Sequence, residues 1–248
     1  MEFQRDGGVA RIFLNRPQKV NALDSALLEA LAAALQKVDD SVHVVVLGGH
    51  GKAFCAGADV NELASLDERS AKTFITRVHR ACDAVRKVPV PVVARLHGTV
   101  IGAGLELAAA CDLRIAARGT RFAMPEVRLG IPSVVEAALL PRLVGSGRAA
   151  WLVLTGEAFD AEQAAAWGLV ETISDDLDHT LSQVVNSLLA GDRAALAAQK
   201  QLLQQWEEAP LRASIAASID RFAQSYAGGR PNERIRHTIS RAKAPKEH

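Results

Sequence analysis

The feature that most constrains this chain is a unit that occurs twice: a short apolar run, a glycine-rich loop, then apolar residues at helical spacing. In the first copy, residues 42–47 lead into GGHGKAFCAGAD, and Phe74, Val78, Cys82 and Val85 follow as one helical stripe that ends at the breaker VPVP. In the second, residues 92–96 lead into HGTVIGAG, a helix is expected from about Gly104 to Asp112, and residues 113–117 read as a further strand. Continuous apolar strands are buried on both faces, and a strand–loop–helix order joins parallel strands, so the pattern predicts a mixed α/β fold.

The flanking segments agree with that reading. Residues 9–15 are β-rich, and from Ser25 onward Leu27, Leu28, Leu31, Leu35 and Val38 recur at helical spacing. Past residue 145 helices dominate: Asp160 with Gln163 forms a capping box, Gly168 stands where a C-terminal cap belongs, and residues 169–173 read as a last short strand. Two longer helices are expected over residues 194–227, followed by a polar, proline-bearing tail from residue 228. The expected division is a core over residues 1–190 and a helical region with tail over 191–248.

A chain of 248 residues, 49% hydrophobic, can bury one substantial core. Its 29 basic and 28 acidic residues leave a formal charge of +1, so no global field draws it to nucleic acid or to an anionic membrane, and an anionic ligand needs a local patch. No basic segment followed by an apolar stretch opens the sequence, and no run approaches eighteen apolar residues. A soluble, cytoplasmic protein is expected. Cys55, Cys82 and Cys111 are odd in number and widely spaced, which fits buried fillers better than a disulfide framework or a metal site.

The two glycine-rich loops are where backbone N–H groups can approach a ligand without Cβ obstruction. Ala58 lies just before Asp59, an expected N-cap, and Ala103 with Gly104 opens the second helix. If the loops converge, one N–H from each can grip an oxygen that gains negative charge, although each loop taken alone reads first as a tight strand-to-helix turn. GAGLEL is not a dinucleotide fingerprint, because Leu107 replaces the third glycine and the next strand ends in Arg118 rather than an acid. Glu106 stands among Leu105, Leu107 and alanines, where a carboxylate needs a reason; chemistry is one and a helix N-terminal dipole is another. Glu126 is an acid in mostly apolar company, which also fits a loop carboxylate facing water.

Together the segments LNRPQKVNALD, KAFCAGADV, PVVARLHGTVIGAGLELAAACDLRIA, FAMPEVRLGIP, LPRLVGSGRA and LTGEAFDAEQAAAWGLVETI resemble the crotonase, or enoyl-CoA hydratase/isomerase, superfamily over about residues 11 to 173. The resemblance implies a spiral of ββα turns with a C-terminal helical region, assembly as a homotrimer or homohexamer, and an acyl-CoA substrate whose coenzyme A is no separate cofactor. It maps oxyanion-hole N–H groups onto Ala58 and Ala103, and places Ala56, Gly57, Asp59 and Val60 along the CoA. Lys19 and Lys52 are candidate phosphate or ribose neighbours, with solvated surface charge as the competing reading. The paired glutamates of the family fall on Glu106, the expected base on water, and Glu126, the expected acid to C2. This pairing implies hydration of a trans-2-enoyl thioester; isomerisation, another enolate-forming reaction, or acyl-CoA binding with weak turnover are the alternatives.

The loop after Glu126 departs from the family pattern. It reads LGIPSVVEAALL, one residue shorter before the proline and without the usual glycines. Ser133 takes the place of a glycine whose N–H helps hold water. Glu136 is an additional acid, either a third member of the site or, as residues 133–136 suggest, the far end of a capping box on a helix through Leu140. Leu63, Leu66 and Val134 are expected along the acyl pocket, and Arg241 replaces a CoA-contacting lysine.

Overall fold

The computed structural model describes residues 1–227 and 229–243. Its strands are β1 (Glu2–Asp6), β2 (Val9–Leu14), β3 (Val44–Gly49), β4 (Val92–Leu96), β5 (Thr99–Ile101), β6 (Leu113–Ala117), β7 (Arg121–Ala123), β8 (Phe159–Asp160) and β9 (Thr172–Ser174). The helices are α1 (Ser25–Leu35), α2 (Val60–Leu63), α3 (Glu68–Lys87), α4 (Ala103–Ala109), α5 (Leu140–Val144), α6 (Ser146–Thr155), α7 (Ala161–Ala166), α8 (Leu177–Leu189), α9 (Arg193–Glu208), α10 (Leu211–Ser225) and α11 (Arg230–Lys243). The chain divides into two compact units, Met1–Gly191 and Asp192–His248.

In the first unit a six-stranded sheet has the order β1-β2-β3-β4-β6-β9, antiparallel between β1 and β2 and parallel from there on. A smaller sheet has the order β5-β7-β8. Successive passes of the chain therefore lay one strand in each sheet: β4 then β5, β6 then β7. This is the ββα spiral, and the mixed α/β expectation holds. Parallel pairing of β3 with β4, Val45 opposite Val92, makes the loops that follow both strands emerge at one edge. The site is built there.

The apolar pattern becomes the core. Phe54, Phe122, Ile12, Leu14, Leu47, Leu96, Leu105 and Leu107 are fully buried, and every residue of α4 is buried. A helix apolar on every side but for one acid must be enclosed. The three cysteines are buried and unbridged. Asp160 and Gln163 form the expected capping box on α7, and Gly168 follows that helix with a φ of +81°. No helix among the described residues is long and apolar enough to cross a membrane.

In the second unit, α9 is capped by Asp192, whose side chain accepts from the Ala195 N–H, and α10 follows Pro210. The segment read as a polar tail instead forms α11 over Arg230–Lys243, because Pro231 falls in its first turn, where a missing N–H costs nothing. Arg241 lies in α11, with its side chain outside the described ones.

Arg114 on β6 is a buried polar tie within the first unit. It is 4% exposed, donates to the carbonyls of Leu169 and Cys111 at 2.7 Å each, and forms an ion pair with Glu171, which also accepts the Arg114 backbone N–H. Those bonds fasten β6 to the approach of β9. Arg114→Ala is expected to cost roughly 3 kcal/mol, since it removes the buried guanidinium's bonds to two carbonyls and its ion pair with Glu171. Chemical denaturation measures it; a loss below about 1 kcal/mol contradicts that role.

Candidate active site

Residues 55–59 run between two neighbours. On one side Cys55 bridges Val100: the Cys55 N–H donates to the Thr99 carbonyl and the Ile101 N–H to the Cys55 carbonyl, both at 3.1 Å. On the other, Leu23 bridges Ala58: its N–H donates to the Gly57 carbonyl at 2.8 Å, and its carbonyl accepts the Asp59 N–H at 2.9 Å. Neighbouring N–H groups in extended backbone point to opposite sides, so the Ala58 N–H faces away from Leu23. A Cβ on Gly57 would meet the Ile101 carbonyl and stand 3.9 Å from the Ala103 nitrogen. Ala103 is the first residue of α4, where N–H groups have no intrahelical acceptor. Among the described residues, no backbone carbonyl accepts from either N–H.

The segment LNRPQKVNALD is the clamp on this arrangement. Asn21 is fully buried with a φ of +55°, a conformation that asparagine tolerates. Its amide donates to the carbonyls of His50 at 2.9 Å and Ala53 at 2.8 Å, and its oxygen accepts the Arg16 N–H at 2.9 Å. Arg16 pairs with Asp24 at 3.2 Å and with Asp59. Asp59 also caps α2, accepting from the Asn61 N–H at 2.8 Å, and its carboxyl is held below the usual range chiefly by Arg16. The Asp59 side chain is thus committed to the fold.

Glu106 lies in the first turn of α4 and is 3% exposed. Burial pushes its carboxyl up to about 8, the charges of Glu126 and Glu136 add to the effect, and the Ala137 N–H opposes it. Glu126 opens a 3-10 turn, Glu126–Leu129, and faces the cap of α4: a Cβ on Gly102, whose φ is +52°, would stand 2.2 Å from the Glu126 Oε1. Only glycine fits there. The Ser133 Oγ donates to the Glu126 Oε2 at 3.0 Å. Burial raises Glu126 too, against the pull of its own N–H and of Ser133. Gly104 permits a second close approach, because a Cβ there would stand 2.7 Å from the Cys55 carbonyl oxygen. Both acids, and the Ala103 N–H, therefore gather at one helix end.

The expected capping box over residues 133–136 does not form. Val134 is the cap of a 3-10 turn, Val135–Leu139, that has no side-chain cap, and α5 begins only at Leu140. Val135 has a φ of +42°, which for a β-branched residue costs on the order of 1–3 kcal/mol and breaks the regular helix start. Ser133 spends its hydroxyl on Glu126, and Glu136 turns inward. The Glu136 Oε1 lies 2.8 Å from the His79 Nδ1, while Oε2 is buried without a partner.

Of the remaining candidates, Lys19 and Lys52 are exposed, Ala56 is half-buried, and Val60 is exposed beside the clamp. Leu63 and Leu66 pack against the main core, and Val134 is 40% exposed. A cavity of about 660 Å³ between α1 and α3 is lined by Arg69, Lys72, Arg77 and Arg80 among others, but by none of the three glutamates. Chemistry, not cleft size, marks the site. Sequence reading missed Asn21, Gly102 and His79. His79 stands beside Val78 and three residues before Cys82, at the border of the buried stripe of α3, which was the available signal.

The enoyl-CoA hydratase/isomerase family pattern matches residues 4–230. The chain is 38% identical over 232 residues to the "probable enoyl-CoA hydratase echA17" of Mycobacterium avium, spanning 91% of this chain and 89% of that one. It is 30% identical over 229 residues to the short-chain-enoyl-CoA hydratase of Clostridium acetobutylicum, spanning 90% and 88%. The crystal structure of an enoyl-CoA hydratase from Mycobacterium smegmatis superposes with a TM-score of 0.88 at 35% identity, over 91% of this chain and 90% of that one. With its ββα spiral and the two acids at the head of α4, the chain belongs to the enoyl-CoA hydratase/isomerase family and has the crotonase fold.

Proposed function

We propose that this chain is an enoyl-CoA hydratase of fatty acyl-CoA metabolism, adding water across the double bond of a trans-2-enoyl-CoA. The observation that carries the reading is the convergence of Glu106, Glu126 and two carbonyl-free N–H groups at the start of α4. The N–H groups of Ala58 and Ala103 hold the thioester oxygen as it gains enolate charge. Water adds at C3, giving a proton to Glu106, and Glu126 gives a proton to C2. Coenzyme A is part of the substrate rather than a resident cofactor.

Two acids that couple inside an apolar enclosure share one proton at neutral pH. The deeper Glu106 is the costlier one to ionise, so the resting pair holds its proton there. Hydration starts from Glu106 ionised and Glu126 protonated, and ends with the proton on Glu106. The resting state is thus the end of a hydration cycle and the start of dehydration of a 3-hydroxyacyl thioester. Proton exchange with solvent resets the pair for the next turnover.

We further propose a cytoplasmic homotrimer or homohexamer. Its support is the apolar surface of the second unit, where Leu203, Trp206, Leu211, Ile215, Ile219 and Phe222 are each at least 46% exposed. Light scattering is expected to return three or six chain masses of 26.4 kDa; a monomer contradicts this assembly.

The reaction is tested by loss of the enoyl-thioester ultraviolet absorbance with crotonyl-CoA and longer analogues. Glu106→Gln and Glu126→Gln are each expected to lower kcat by about 10²- to 10⁴-fold; undiminished turnover in both overturns the reading. The pH profile has a definite sign. Loss of the last proton of the pair, near pH 8, leaves no acid, so kcat/KM falls as pH rises through about 8.

Stability moves the opposite way from activity in Glu106→Gln. The raised folded value means that the unfolded chain binds fewer protons between about pH 4.5 and 8, so wild-type stability declines across that window as pH rises. Removing the acid is expected to stabilise the fold by on the order of 3 kcal/mol at pH 7, with little gain below pH 4. Denaturation at both pH values measures this; a variant less stable than wild type at pH 7 contradicts the burial argument.

A further inference from the structure

The Leu23–Ala58 bridge decides the side to which the Ala58 N–H points, but both of its hydrogen bonds lie on one edge of the segment. A strip held along one edge can still turn about that edge, and a hydrogen bond weakens steeply as its angle departs from linear. The Cys55–Val100 bridge holds the other edge earlier in the chain, before Gly57, whose φ is +94°. Beyond Asp59 the segment enters α2, a single helical turn of four residues, and one turn of helix is not stable by itself. Whatever holds that turn sets the final angle of the Ala58 N–H.

Leu63 packs on the main core, and apolar packing is non-directional. Asp59 ties the start of the turn to Arg16 and to the Asn61 N–H, and Val60 is exposed. Glu62 makes the directional tie at the far end. Its Oε2 accepts the Ser25 N–H at 2.9 Å, and its Oε1 accepts the Ser25 hydroxyl. Both residues are half-buried. Arg77 of α3 reaches the same hydroxyl oxygen at 3.5 Å and the Glu29 Oε1 at 2.9 Å, which leaves the Ser25 hydroxyl proton for Glu62. Ser25 follows Leu23 by two residues, and Glu62 follows Ala58 by four. The same two stretches of chain are thus joined twice, once through backbone and once through this side chain, and two separated ties remove the rotation that one permits.

Fold stability alone does not call for an acid at this position. Helix α1 already has a side-chain cap in Asp24, which accepts the Leu27 N–H at 2.8 Å, and a first-turn N–H can be left to water. We propose that Glu62 is a positioning residue: by gripping both the N–H and the hydroxyl of Ser25, it sets the angle of the segment that carries the Ala58 N–H toward the thioester oxygen. The catalytic meaning rests on the hydratase reading, whereas the effect on a bound thioester carbonyl does not need turnover.

The experiment reads the carbonyl stretch of butyryl-CoA, ¹³C-labelled at C1 and without a double bond to hydrate, by difference infrared spectroscopy on the full chain, beside kcat and KM with crotonyl-CoA. N–H donors on the thioester oxygen lower that stretch relative to the free ligand. Glu62→Ala is expected to lose part of the lowering and to reduce kcat by about tenfold with a smaller change in KM, because the contact strengthens in the transition state. Glu62→Gln keeps an oxygen for the Ser25 N–H and an amide for the hydroxyl oxygen, and is expected to restore both readouts. Ser25→Ala keeps only the N–H and falls between. Combining it with Glu62→Ala is expected to match Glu62→Ala alone, because both changes act through one contact. Folded Glu62→Ala with the wild-type stretch and the wild-type kcat, however much stability it loses, overturns the proposal. Should Glu62→Ala fail to fold, Ser25→Ala decides by the same stretch. A wild-type chain that lowers the stretch yet does not hydrate crotonyl-CoA overturns the hydratase reading only, and the carbonyl comparison still decides on Glu62. A wild-type chain that binds the ligand without lowering the stretch overturns both.

Discussion

The backbone bridge between Leu23 and Ala58 is the constraint on which the rest of the site depends. Its two hydrogen bonds occupy the Gly57 carbonyl and the Asp59 N–H, and so fix which way the Ala58 N–H points. The Cys55–Val100 bridge fixes the opposite edge of the same segment against β5, whose next residues lead into α4. Neither bridge specifies a side chain. Side chains enter as fasteners: Asn21 ties the N-terminal loop to His50 and Ala53, Arg16 ties it to Asp59, and Gly104 lets α4 come close enough to Cys55.

That geometry explains what was legible in the sequence and what was not. Strand β4 and strand β6 stand where the apolar runs placed them, and the Asp160 capping box is present, because those signals are local and the fold agrees with them. Strand β3 begins at Val44 rather than at Val42, because the Val42 N–H closes a turn on the Asp39 carbonyl. Ser133 and Glu136 carry a correct local pattern for a cap, but the cap lost to tertiary alternatives. Ser133 found a buried carboxylate, Glu136 found His79, and the backbone at Val135 adopted a conformation that no propensity favours.

The partner of Glu136, His79, comes from α3, 57 residues away, which is why spacing could not reveal it. Lys19 and Lys52 illustrate the converse limit. Both are exposed, as charged surface residues usually are, and nothing in their local sequence separates a ligand contact from a solvated face.

Glu106 admits two readings from sequence, a helix-dipole carboxylate or a buried acid, and magnitudes separate them. A first-turn carboxylate gains about 0.3–1 kcal/mol from the dipole, and up to about 2 in partly buried settings, which lowers its pKa. The shift in Glu106 goes the other way, from 4.5 to about 8, equivalent to roughly 5 kcal/mol against the charged form. Enclosure by α4, α3 and the turn carrying Ala137 therefore outweighs the dipole. The same helix end can then carry both groups without conflict: among the described residues no backbone carbonyl accepts from the Ala103 N–H, while the acid three residues later is buried deeply enough to hold a proton. Were Glu106 exposed, the dipole would instead favour its ionised form.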